Sequence, residues 1–182
     1  MPQVQTPDTD RELIIGVLSD PHRRSDLQKA AIEKLIAEGA RYLLHAGDFV
    51  LAENIETLAG AGLPYAAVFG NNDSGLFGYA SRYRIAKEPY YLKAGEITVK
   101  LMHMPYFMSP DCDLVIYGHT HIFAAEQRDS TLYLNPGEIC AREKASSECA
   151  LLKRGVGGWT LEHLYRQPRP HSLWHKKIYR FR

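Results

Sequence analysis

"ELIIGVLSDPH", Glu12 to His22, decides how the rest of the chain is read. Leu13 to Leu18 is a short apolar run, the pattern of a buried strand. It stops at a polar group, Ser19–Asp20–Pro21–His22. Helical spacing follows: Leu27, Ala31, Leu35 and Ile36 repeat on one face, Ser25 and Gln28 have the separation of a capping box, and Gly39 is placed to end the helix. "RYLLHAGDF" repeats the strand-then-polar pattern, Asn54 to Ala61 reads as a shorter helix, and "YAAVFG" as a third strand. Strand and helix alternate in units of about thirty residues, which predicts parallel crossovers and an α/β sheet.

The second half reads differently. "YYLKAGEITVKLMHM" predicts two strands around a turn at Ala94–Gly95–Glu96. After "DLVIYG" come "IFAAEQR", "TLYLN", "ECALLK" and "WTLEHLYR", short strands between turn residues, for which antiparallel pairing is expected.

The chain has 182 residues, enough for one domain with its own core. Residues 11–166 read as that domain, 1–10 as a flexible polar N-terminus, and 167–182 as a basic-aromatic C-terminal extension. Charge is nearly balanced, with 22 Lys+Arg against 21 Asp+Glu. From His163 onward, however, there are six basic residues and no acid, so the body is net acidic. An acidic body does not favour a nucleic-acid partner. Three unpatterned cysteines, Cys112, Cys140 and Cys149, suit a reducing compartment, and no apolar run is long enough to span a bilayer; a cytoplasmic protein is expected. In the extension, Leu173, Trp174, Ile178, Tyr179 and Phe181 predict docking on this or a neighbouring subunit, which would make a homo-oligomer. His171 and His175 are four residues apart, but no carboxylate accompanies them.

Each buried strand ends in residues that bind metals well. They are Asp20 and His22, Asp48, Asn71 in "GNND", His103 in "LMHM", and His119 and His121 in "GHTH". Alone, each has an ordinary reading as a turn or a structural histidine. Together they place seven donors at five strand ends, where open α/β sheets bind ligands. Carboxylate, amide and imidazole donors without a thiolate suit two borderline divalent ions, with manganese placed ahead of iron, cobalt, nickel and zinc. Seven donors exceed the needs of one four-coordinate ion. His45 precedes Asp48 by three and reads as structural or as support for a ligand. The loop "SGLFGYASRYR", Ser74 to Arg84, either packs as a lid or offers Arg82 and Arg84 to a phosphate.

The blocks "SDPH", "AGDF", "GNND", "LMHM" and "GHTH" resemble those of the calcineurin-like metallophosphoesterase superfamily. With "LNPGE" they resemble its small single-domain branch, the YfcE-like phosphodiesterases. The resemblance covers Leu13 to about Arg166 and implies a four-layer αββα sandwich of two packed mixed sheets. It implies one ion on Asp20, His22, Asp48 and His121 and another on Asp48, Asn71, His103 and His119, with Asp48 shared. It implies hydrolysis of a small phosphodiester by in-line attack of a metal-bridging hydroxide. The alternatives are a phosphomonoesterase or nuclease on the same site, or a non-catalytic scaffold of the same fold.

Three departures from the family pattern bear on this. Asn72 stands where many members have a histidine that protonates the leaving group, with Asp73 expected to orient Asn72 or a water. Met104 follows His103 where glycine is usual, so either the cleft is narrowed or the loop takes another path. Glu138 stands where a small hydroxyl residue is commoner, either facing solvent or adding negative charge near the site.

Overall fold

The structure is a computed structural model that describes residues 3–4 and 13–182. The first crossovers form as the apolar pattern predicts. β2 (Leu13–Leu18), β3 (Tyr42–His45) and β4 (Tyr65–Val68) lie parallel, joined by α1 (Ser25–Ala37) and α2 (Ala52–Ala59). Helix α1 buries Leu27, Ala31, Ile32 and Leu35 against the sheet. Its end is a Schellman motif: Gly39 N–H bonds Ile36 O, Ala40 N–H bonds Leu35 O, and Gly39 takes φ +94°, which a side chain would resist. The capping box does not form. Ser25 Oγ donates to Glu53 Oε2 on α2, and Gln28 turns inward to donate to Asn54 O. A hydrogen bond that ties two helices together outcompetes a local cap of similar strength.

β4 is followed by a short 3-10 turn, Ser74–Tyr79, then α3 (Ala80–Tyr83) and β5 (Ile85–Ala86). The remaining strands are β6 (Tyr90–Ala94), β7 (Ile97–Leu101), β8 (Leu114–Ile116), β9 (Ala124–Arg128), β10 (Thr131–Asn135), β11 (Ser147–Gly155), β12 (Gly158–Arg166) and β13 (His175–Phe181). One sheet runs β13-β12-β11-β2-β3-β4-β5, the other β1-β6-β7-β8-β10-β9, where β1 is Gln3–Val4. Apart from those two residues, the expected flexible segment 1–10 lies outside the described residues.

Antiparallel pairing in the second half holds for β6/β7, β9/β10 and β11/β12. It does not hold for β7/β8 or β8/β10, which are parallel. The hairpin of β9 with β10 sits at the sheet edge and returns β10 alongside β8. Three parallel strands in this sheet (β7, β8 and β10) and four in the other (β2, β3, β4 and β5) therefore point their carboxyl ends the same way within each sheet.

The two mixed sheets pack face to face, as expected. Ile15, Val17, Leu44 and Leu152 of one meet Leu92, Val99, Leu101, Leu114, Ile116 and Leu134 of the other. The helices cover the outer face of the first sheet. On the second, Met102, Cys112, Val115 and Tyr133 are covered by the loop between β7 and β8. Lys100 holds that loop down: its buried side chain donates to the carbonyls of Phe107 (3.1 Å) and Ser109 (3.0 Å) and pairs with Asp111.

Residues 175–181 pair along β12 of the same chain, so the segment set apart by its composition continues the sheet. Lys176 anchors it to Glu38 and Glu162, each at 2.9 Å, while Trp174, Tyr179 and Phe181 pack on the two cores. Leu173 and Ile178 stay exposed.

Candidate metal centre

Six strand ends meet at one edge of the sandwich. β2 delivers Asp20 and His22, β3 Asp48, β4 Asn71, β7 His103 and β8 His119 and His121. The sixth, β10, delivers Glu138, which lies beside His121 and does not face solvent, the second of the two places expected for it. Asp20, His22, Asp48, His119 and His121 all have φ between +48° and +66°. Left-handed backbone costs a residue with a Cβ roughly 1–2 kcal/mol. Five such residues within one cluster mark a site whose geometry is imposed by the surrounding fold.

Two glycines let the strand ends approach. A Cβ at Gly118 would strike Ser19 Oγ and lie 2.9 Å from Asp20 Oδ2 and 3.0 Å from Ala46 O. A Cβ at Gly70 would strike the Asp48 carboxylate. The invariant need at both places is space, since neither has positive φ.

The donors face one another closely. His22 Nε2 lies 3.2 Å from His121 Nε2 and 3.7 Å from Asp48 Oδ2. Asp20 Oδ1 is 3.3 Å from His121 Nε2 and 4.0 Å from His22 Nε2. His103 Nε2 is 3.5 Å from Asp48 Oδ1 and 2.9 Å from Asn71 Oδ1, and His119 Nδ1 is 3.0 Å from the same amide oxygen. The Asp48 carboxylate thus turns one oxygen toward each group of histidines.

This arrangement calls for positive charge. Asp20 Oδ1 is buried with no hydrogen-bond partner, although Oδ2 accepts from Ser19 Oγ (2.6 Å) and His119 N–H (3.1 Å). A buried carboxylate oxygen left without a partner is costly. Two imidazole nitrogens 3.2 Å apart cannot both present lone pairs to each other, so a proton or a metal ion must lie between them. His103 Nδ1 bonds Ala46 O at 2.7 Å, so a neutral ring turns an Nε2 lone pair on the Asn71 oxygen. The residues present therefore fit cations.

The charges agree with this. Asp20, Cys140 and Glu138 push His121 up to about 12, so it collects a proton where the site is built for positive charge. Burial pushes His22 down, against the pull of Asp48 and Asp20, which leaves its lone pair available. Burial opposes ionisation of Asp20, but His121, His103 and Ser19 hold its carboxyl below the usual range.

The other residues singled out in the sequence fall into place differently. Asn72 donates from its backbone N–H to Asp48 Oδ1 (2.9 Å) and from Nδ2 to Asp48 Oδ2 (2.7 Å). The Asp73 carboxylate does not hydrogen-bond its neighbour Asn72, whose N–H groups go to Asp48. It is buried and accepts from Val50 N–H (2.7 Å) and Gly70 N–H (2.8 Å), clamping the Asp48 loop to the end of β4. His45 is a structural residue: Gly47 N–H donates to its Nδ1, Nε2–H donates to Gln28 Oε1, and Phe49 stacks on it at 4.0 Å. Met104 does not line the cleft; Glu88 accepts from the N–H groups of His103 and Met104 and directs the loop away.

A cleft of about 410 Å³ opens over the centre, lined by His22, Asp48, Asn71, Asn72, His119 and His121, with Thr120, Ile122, Arg142 and Glu143 at its sides. The guanidinium at the cleft is Arg142. Arg82 and Arg84 do not line it, because Leu76, Tyr79, Ala80 and Tyr83 pack their loop onto the helical core. Arg82 lies over the Tyr83 ring at 5.1 Å. A thiol also reaches the cluster, one that the donor set read from the sequence did not include. Cys140 lies beside His22 and His121, and burial pushes its pKa up, keeping it protonated. Arg142 and Cys140 carry no local sequence signal; only the return of β10 beside β8 brings their loop here.

Comparison with known proteins agrees with this geometry. The chain is 29% identical over 140 residues to phosphodiesterase MJ0936 of Methanocaldococcus jannaschii, covering 69% of this chain and 84% of that protein. Its fold is similar to Vps29 from Entamoeba histolytica (TM-score 0.72, 18% identity, 93% of this chain and 99% of that one). It is also similar to YfcE, a phosphoesterase from E. coli (TM-score 0.64, 22% identity, 82% and 91%). The sequence profile of the calcineurin-like phosphoesterase superfamily domain matches residues 13–154, a span that contains every strand end of the centre, and the chain belongs to that superfamily.

Proposed function

We propose that this chain is a metal-dependent phosphodiesterase that binds two divalent cations. The observation that carries this is the Asp20 carboxylate, whose Oδ1 is buried without a hydrogen bond and faces His121 Nε2 at 3.3 Å and His22 Nε2 at 4.0 Å. Asp20, His22, Asp48 and His121 would hold one ion and Asp48, Asn71, His103 and His119 the other. When bound, such ions supply hydroxide from water near neutral pH and neutralise charge on phosphoryl oxygens. Manganese heads the candidates, since the available donors are oxygen and imidazole and the nearby thiol is protonated.

The chain's own residues then bind and orient the substrate. Asn72 holds both oxygens of Asp48 in place. Arg142, with its side chain largely exposed at the cleft, is placed to meet the substrate's negative charge, and Ile122 offers an apolar surface to a leaving group. No imidazole stands at Asn72 to donate a proton, so leaving groups that are weak bases depart best. The three unbridged buried cysteines suit a reducing compartment, and we place the protein in the cytoplasm. No helix among the described residues is long and apolar enough to cross a membrane.

The test pairs metal analysis of the purified chain with hydrolysis of bis(4-nitrophenyl) phosphate, before and after chelation. Two ions per chain and turnover that is lost on chelation and restored by Mn²⁺ are expected. Absence of metal binding and of metal-dependent turnover under saturating conditions would overturn the proposal and favour a scaffold.

A further inference from the structure

Glu138 has no solvent exposure, and every polar contact it makes is short. Its Oε2 accepts from His121 Nδ1–H at 2.6 Å and from Cys140 Sγ at 3.0 Å. Its Oε1 accepts from the backbone N–H groups of Glu143 (2.7 Å) and Lys144 (2.8 Å). Both oxygens are therefore saturated, and the carboxylate cannot turn without breaking two hydrogen bonds. One of its four partners is a proposed ligand; the others belong to the loop that carries Arg142 over the cleft.

Among the described residues, no other imidazole of the centre bonds a carboxylate through its far ring nitrogen. His103, the corresponding imidazole of the other group, rests its Nδ1 on a neutral acceptor, Ala46 O. A carboxylate behind a ligating histidine fixes the tautomer and makes the opposite nitrogen a stronger donor, and loss of such a partner costs roughly 10–100-fold in metal affinity. A neutral carbonyl orients the ring without adding charge. The same cleft thus holds two imidazoles backed by unequal partners.

Resting on the two-ion reading above, we infer that Glu138 is a positioning residue that makes the ion site of Asp20, His22, Asp48 and His121 tighter than the site of Asp48, Asn71, His103 and His119. It acts by holding His121 Nδ1–H and directing Nε2 to the Asp20 and His22 side, where the separations are 3.3 Å and 3.2 Å. Glutamine is a poor replacement. With its oxygen toward His121, its NH₂ would face the N–H groups of Glu143 and Lys144.

The experiment is calorimetric and paramagnetic titration of the full-length, metal-free chain with Mn²⁺. Two unequal affinities are expected for the wild type. Glu138→Gln should weaken the tighter site by about 10–100-fold and leave the weaker one within about threefold, with Glu138→Asp recovering part of the difference. In histidine-labelled protein, the strongly deshielded Nδ1–H resonance of His121 should be present in the wild type and lost in Glu138→Gln. If the wild type binds no Mn²⁺, the two-ion reading itself fails. Equal wild-type affinities, an unchanged tight site in Glu138→Gln, or equal losses at both sites in a variant that melts like the wild type would each overturn the role of Glu138. Should Glu138→Gln not fold, the wild-type inequality and the Glu138→Asp titration decide the matter.

Discussion

Asn72 grips both oxygens of the Asp48 carboxylate, Oδ1 through its backbone N–H at 2.9 Å and Oδ2 through its side-chain amide at 2.7 Å. Its amide N–H is thereby committed to Asp48, and no titratable proton is available at this position for a departing alkoxide. The rate should therefore fall steeply as the leaving group becomes more basic. Kinetics with a series of aryl and alkyl diesters would measure this. Asn72→His should flatten the dependence by adding a general acid, a gain of up to about 100-fold for the most basic leaving groups. Equal rates for alkyl and aryl diesters in the wild type, with departure rate-limiting, would contradict the argument.

Asp48 stands between the two histidine groups, with Oδ2 3.7 Å from His22 Nε2 and Oδ1 3.5 Å from His103 Nε2. Asp48→Asn removes a charge shared by both proposed ions, so both should bind more weakly and kcat should fall at least about 100-fold. His121→Ala removes a donor from one group alone. Metal content at limiting Mn²⁺ should then drop to about one ion per chain, half the two-ion complement proposed for bound metal. If each variant lost the same number of ions, Asp48 would not be the shared ligand.

His45 makes stability depend on pH. It is fully buried, and burial pushes its pKa down from 6.5 to about 3. Its folded pKa lies below its unfolded one, so the unfolded chain takes up the proton first as the solution is acidified. The contribution is complete above pH 6.5 and is lost as pH falls from there toward 3, at up to about 1.4 kcal/mol per pH unit. Urea midpoints should decline in the wild type as pH falls below 6.5, and His45→Gln should flatten the slope. An identical slope in both proteins would assign the pH dependence to other groups.

The C-terminal segment should be part of the cooperative fold. Residues 175–181 pair along β12, and Trp174, Tyr179 and Phe181 are partly buried on the cores. Phe181→Ala should cost about 1–2 kcal/mol, less than the roughly 3 kcal/mol of full aromatic burial. Removing residues 167–182 should cost more. Denaturant unfolding of both variants is the measurement, and an unchanged midpoint after truncation would show that the strand adds nothing to stability.

The seven proposed ligands were legible because each ends a run of buried residues, and an apolar run that stops at Asp, Asn or His leaves a local mark. The crossovers were legible for a similar reason: Leu27, Ala31 and Leu35 repeat at the helical period against an apolar strand. The capping-box spacing of Ser25 and Gln28 misled, because a pattern of two residues cannot reveal that Glu53 and Asn54 lie within reach.

Contiguous residues were enough to show that Asp20, His22, Asp48, Asn71, His103, His119 and His121 end buried strands, and to which family those blocks belong. What surrounds them came from the packing of distant segments. It gave Asn72 to Asp48, Asp73 to the backbone of Val50 and Gly70, and Glu138 to His121, and it set Arg142 rather than Arg82 or Arg84 at the cleft. The difference comes from separation along the chain. Strand ends are written in contiguous residues, whereas the partner of a buried carboxylate is chosen by the register of β10 beside β8 and by the packing of one sheet on the other.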